Sequence, residues 1–112
     1  MKGTYLGEFE ELVLLTIGML QEEAYGVAIK LEIEARMNRK PSIGALHSAL
    51  NRLEEKGFIE SREGGATQIR GGRRKRFYTI TSFGKQALTH SNELRNQLFN
   101  LIPNLQLSTQ KS

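Results

Sequence analysis

Cysteine, tryptophan and aspartate are missing from this 112-residue chain, and proline occurs only twice. No stretch reaches the roughly eighteen consecutive apolar residues of a membrane span. Without a thiol there is no cysteine nucleophile, thiolate zinc site or disulfide. Without aspartate, all twelve acids are glutamates and aspartate-based catalytic pairs are excluded. His47 and His90 are the only histidines, and neither has a cysteine or aspartate to complete a metal site. No signal-peptide pattern opens the sequence, so a cytoplasmic location is expected, with no membrane partner. Enzyme ranks last among the function classes, and no cofactor is expected. What remains, 38% hydrophobic and 25% charged residues, suits one modest core and not a disordered tail.

The formal charge of +4 hides a polarity. Residues 1–34 carry two lysines against seven glutamates, residues 35–80 eleven basic groups against four glutamates, and residues 81–112 three against one. Positive potential is therefore local to the middle third. Local positive potential attracts polyanions, because neutralising phosphates releases counterions.

Periodicity predicts a helix over 7–21, with Phe9, Leu12, Val13, Thr16, Ile17 and Leu20 on one face. Leu15 and Met19 lie on the opposite face and call for a second partner, which a further subunit can supply. Met19 and Met37 also fit the role of core gap-fillers. A second helix is predicted from Tyr25-Gly26 to about Asn38, with Ile29, Ile33 and Met37 in one row. Pro41 breaks the pattern. Ser42 is the expected N-cap of a third helix that runs to Lys56 and is closed by Gly57. Ile43, Leu46, Ala49, Leu50 and Leu53 share its core side. Gly44, His47, Ser48, Asn51, Arg52 and Glu55 fall outward, small and hydrogen-bonding in place of the usual lysine–glutamate surface.

Residues 58–63 and 75–81 are β-prone and read as a hairpin joined by a glycine-rich loop. Thr81 is the expected cap of a last helix. Ala87, Ser91, Leu94, Leu98 and Leu101 repeat along it as in a coiled-coil seam, with Ile102 beside its end and Pro103 stopping it. The fold class is thus mainly α with a β-hairpin: a winged helix-turn-helix over 1–80, a C-terminal dimerisation helix over 81–103 and a flexible tail over 104–112.

A helix enters the major groove only when its outward side chains are short and polar enough to meet base edges. Gly44, Ser48 and Asn51 satisfy this, Ala45 belongs to the helix N-terminus that offers free amides, and asparagine pairs with adenine in a bidentate way. Lys40 and Arg52 flank them in positions suited to phosphates, and the helix N-terminus at Ser42 adds amide donors. Arg70, Arg73, Arg74, Lys75 and Arg76 form the second cluster, at a hairpin tip whose glycines let it follow a DNA backbone or enter a minor groove. His47 is open between a base or phosphate contact and a half-buried polar residue. His90 reads as a surface or interface residue. Tyr78 reads as strand core, and Glu54-Glu55 solvate the end of the third helix, which leaves base reading to its first two-thirds. The expected function is sequence-specific binding of double-stranded DNA. The alternatives are a winged-helix protein–protein adaptor that docks its basic wing on an acidic partner, and a binder of RNA or single strands through Phe77 and Tyr78.

The segment from Ser42 to Ile59 resembles the third-helix signature of the PadR family of bacterial transcriptional regulators. Arg73 to Thr81 followed by Gly84 is similar to that family's second wing strand and its entry into the last helix. Leu6 to Leu20 and Tyr25-Gly26 match its opening pattern, so the likeness runs over residues 5–102. His47 departs from it, standing where the family usually has tyrosine. The resemblance implies a homodimeric repressor of inverted-repeat operators, in which the last helix crosses to the first helix of the partner. It implies dimer contacts at Leu15, Met19, Leu94, Leu98, Leu101 and Ile102. It also places this chain near the compact branch with a single short C-terminal helix, whose dimer interface sometimes lodges a flat hydrophobic effector. The tryptophan that stacks on such molecules in some relatives has no counterpart here.

Overall fold

The first helix, α1 (Glu8–Leu20), starts where three glutamates fill its first turn, at the positive end of the helix dipole. Val13, Leu14 and Ile17 of α1 are fully enclosed. Leu14 was not on the face assigned from periodicity; it is buried because α1 lies at the centre of the molecule, touched by α2, α3, α4 and the hairpin. A single-stripe pattern does not describe a helix packed on several sides. The computed structural model describes residues 5–64 and 75–104.

A short turn at Gln21–Glu23 leads to α2 (Gly26–Met37), whose Ile29 and Ile33 reach the core and whose Met37 packs against it. Asn38 ends α2 in the left-handed region, φ 51°. The third helix, α3 (Ile43–Glu55), begins at Ser42, whose Oγ accepts from the Ala45 amide at 3.0 Å. Leu46, Ala49, Leu50 and Leu53 bury its inner side. Ile43 was expected with them but is 51% exposed, because the first helical residue projects beyond the packed layer. Gly57, with φ +81°, turns the chain out of α3, a conformation that favours glycine.

Strands β1 (Ile59–Gly64) and β2 (Lys75–Ile80) pair antiparallel from Ile59↔Ile80 to Gly64↔Lys75. The base of this hairpin is attached to the start of α2. The Tyr78 amide donates to the Ala24 carbonyl at 2.9 Å, and Tyr25 bridges Phe77. Tyr78 is buried, as expected of strand core.

The last helix, α4 (Ser82–Leu101), is capped by Thr81, whose Oγ1 accepts from the Gly84 amide at 2.9 Å. Thr81 also fastens this start to the end of α3. Its hydroxyl donates to the Gly57 carbonyl at 2.7 Å and its amide to the Phe58 carbonyl at 3.0 Å. Gly84 passes so close that a Cβ there would stand 2.2 Å from the Phe58 oxygen. Beyond Ala87 no residue of α4 is buried by its own chain. The expected hairpin tip and tail lie outside the described residues, apart from Asn104. Among the described residues, no helix is long and apolar enough to cross a membrane.

Candidate nucleic-acid interface

The outer face of α3 is unspent by the fold. Ser42, Gly44, Ala45, His47, Ser48 and Asn51 are all exposed, and among the described residues only the Ser42 hydroxyl is engaged, in its cap. A Cβ on Gly44 would meet nothing nearer than the Ser42 Oγ at 4.0 Å. The chain's own packing therefore does not call for glycine there, and the small surface is open to an outside partner. The amides of Ile43 and Gly44 fall in the first turn, where an α-helix supplies no internal acceptor. Ile43, expected on the core side, joins this outward surface. Exposed at the head of the same helix, it offers an apolar contact of the kind a thymine methyl accepts.

Cations around this face divide into engaged and unengaged groups. Lys40 is exposed and, like Lys85, has no ion pair, hydrogen bond or ring contact among the described residues. Arg52, expected to contact phosphate, is half-exposed on the flank of this face, and its Nε donates to Glu10 at 2.8 Å. Lys56 donates to the other Glu10 oxygen at 2.7 Å and to the Tyr5 carbonyl at 2.8 Å. Glu10 is only 8% exposed. Burial alone pushes its carboxyl up, but hydrogen bonds from Lys56, Arg52 and the Gly7 amide outweigh this and hold it below the ordinary glutamate value.

Its neighbours in the first turn of α1 behave alike. Glu8 takes Arg39 from the end of α2 at 2.9 Å, and Glu11 takes Arg95 from α4 at 2.7 Å. Three acids within four residues thus gather cations from three other helices. These pairs, 31 to 84 residues apart, leave no local trace in the sequence beyond an excess of acid near its start.

The wing strands use their cations too. Lys75 stands over the Tyr25 ring at 4.2 Å and Arg62 over Phe77 at 5.2 Å, while Tyr25 and Phe77 meet edge to face at 5.5 Å. Arg76 donates to the Ser61 hydroxyl at 2.9 Å, and Ser61 donates in turn to Glu54 at 2.8 Å. Glu54 therefore braces the hairpin against α3, a more specific role than solvating a helix end. Burial pushes the Tyr78 phenol up, with Arg76 opposing and Glu54 adding to the shift. Of the predicted wing contacts, Lys75 and Arg76 sit at the loop end of the paired strands, opposite Gly64 and Glu63, and Arg70, Arg73 and Arg74 lie outside the described residues.

A second surface is apolar. Leu15 and Met19 of α1, Leu94, Leu98 and Leu101 of α4, and Ile102 just past its end are exposed, Leu98 to 57%. Met19 is therefore no core filler in the single chain, since it points away from Val13 and Ile17. Ser91 leaves the expected seam by donating to Glu11 at 3.2 Å. Tyr5, Leu6, Ala87, Leu94 and Leu98 line a groove of about 590 Å³ along α4, with His90, Ser91 and Arg95 at its polar side. Among the described residues, no cluster of His, Cys, Asp or Glu is arranged to hold a metal ion.

This architecture recurs in solved structures. A transcriptional regulator from Clostridium thermocellum is 23% identical with a TM-score of 0.68, over 86% of this chain and 87% of that one. A PadR family transcription regulator from hypervirulent Clostridium difficile is 26% identical with a TM-score of 0.62, over 91% and 98%. Bacillus subtilis PadR, solved in complex with operator DNA, is 21% identical with a TM-score of 0.63, over 73% of this chain and 45% of that one. No curated protein matches the sequence. The family described as transcriptional regulator PadR-like matches residues 13–90, well over half of the chain. The chain belongs to the PadR-like family of transcriptional regulators.

Proposed function

We propose that this regulator is a repressor that binds double-stranded DNA sequence-specifically, as a homodimer on an inverted-repeat operator. In this reading α3 enters the major groove and the wing, residues 64–76, follows the backbone or a minor groove. The observation that carries the proposal is the outward face of α3: short polar side chains, all exposed, around a glycine that the fold itself does not need. Unpaired Lys40 beside that face supplies a phosphate contact. The paired apolar surfaces of α1 and α4 support the dimer, which sets two reading helices about one DNA turn, ~34 Å, apart. The groove along α4 gives a small hydrophobic effector room at that interface.

Fluorescence anisotropy on the DNA upstream of the coding region, against random duplex at two salt concentrations, tests this reading. Asn51→Ala is expected to relax preference at one base pair. Arg73→Ala with Arg74→Ala is expected to weaken binding to every sequence and flatten the salt slope, by roughly 0.9 per lost phosphate contact. Equal loss in both variants on operator and random DNA would contradict this division of labour. Absence of competition-resistant duplex binding would favour the adaptor alternative.

A further inference from the structure

We infer that Glu10 limits sequence-independent DNA affinity by withholding Arg52 from the phosphate backbone. The inference rests on the DNA-binding reading of α3 and adds an internal restraint to it. Arg52 lies one helical turn beyond Ser48, on the flank of the reading face, with a side chain 54% exposed. An arginine so placed and unpaired reaches phosphate in any register along the duplex. Here its Nε is fixed on a carboxylate that is itself almost enclosed, with Lys56 locking the second oxygen from below.

Two consequences follow from the physics. Sequence-independent affinity grows with the number of phosphates neutralised, whereas discrimination comes from base edges. An arginine already neutralised by Glu10 adds little to the first quantity and leaves the second to Gly44, Ser48 and Asn51. The pair also spans 42 residues and joins α1 to α3, so the same carboxylate holds the reading helix against the central helix. Glu10 is thus a positioning residue that acts through Arg52, and it does not touch DNA.

The test measures the salt dependence of binding to random duplex for the wild type, Glu10→Gln and Arg52→Gln, with unfolding midpoints recorded alongside. Glu10→Gln is expected to bind random duplex more tightly and with a salt slope steeper by about 2 per bound dimer, one freed arginine per protomer at roughly 0.9 each. Arg52→Gln is expected to leave the slope at the wild-type value. A merely structural role for Glu10 moves the unfolding midpoint but does not steepen the slope. An Arg52→Gln slope shallower by about 2 would show Arg52 already on phosphate in the wild type and overturn the inference. That arm decides the question even where Glu10→Gln fails to fold, because Arg52→Gln keeps the Glu10–Lys56 pair. A wild type without duplex affinity overturns the DNA-binding reading itself, an outcome distinct from either slope result.

Discussion

Helices α3 and α4 each leave one face without a partner in the single chain, and the two faces differ in chemistry. On α3 four residues are buried and the free side is small and polar, with glycine, serine and asparagine at its centre. On α4 two of twenty residues are buried, both in its first half, and the free side carries leucines at 94, 98 and 101. Exposed leucines are relieved by another apolar surface, whereas short hydrogen-bonding side chains gain nothing from one. The leucine face of α4 therefore suits an apolar protein partner, and the polar face of α3 suits a wet, polar surface. In the proposed function, the long helix with its unburied seam and the short one with its polar face are two halves of one binding device.

The largest expected effect breaks the α4 side. Leu94→Glu with Leu98→Glu should leave a folded monomer by light scattering, with operator affinity down by about a hundredfold as the linkage of two half-sites is lost. A variant that stays dimeric would move the protein interface off α4. Next, two glycines separate folding from reading. Gly84→Ala forces a Cβ against the Phe58 carbonyl, and chemical denaturation should show a loss of about 1–3 kcal/mol or more. Gly44→Ala meets open space, so stability should rise by up to about 1 kcal/mol while duplex affinity falls, since a methyl then stands between backbone and bases. Unchanged affinity in this variant would remove Gly44 from the interface. The smallest effect concerns acid. Glu10 has a lowered folded pKa, so its stabilisation is complete above the ordinary value of 4.5 and is lost as pH falls through the lowered one. The stability gap between wild type and Glu10→Gln should therefore be widest near neutrality and close below that value, followed by denaturant titration at each pH.

Much of this fold is legible from local chemistry. Ser42 and Thr81 announce helix starts because a hydroxyl there satisfies a free amide, and both hydrogen bonds are present. Gly57 and Pro103 mark helix ends for equally local reasons. Periodicity found the outward face of α3, but it gives direction and not depth, so Ile43 was assigned to the core. Leu14 was missed because α1 is enclosed on several sides. The fate of Arg52 was not legible at all. Position on a helix shows that a cation stands near a reading face, but not that a carboxylate 42 residues earlier already holds it. Long-range ion pairs have no spacing rule, so the acidic start of the chain registered only as a charge imbalance.

The knot of backbone contacts at Gly57, Phe58 and Thr81 has a consequence for operator choice. Because α3, the hairpin and α4 leave this one junction together, the proposed dimer has no slack joint between a reader and the rod that holds it. Lengthening the spacer between half-sites by one base pair rotates one of them by roughly 34–36° and shifts it by about 3.4 Å. The DNA, not the protein, must absorb that torsion. Operators are then sorted partly by how easily their untouched central steps twist.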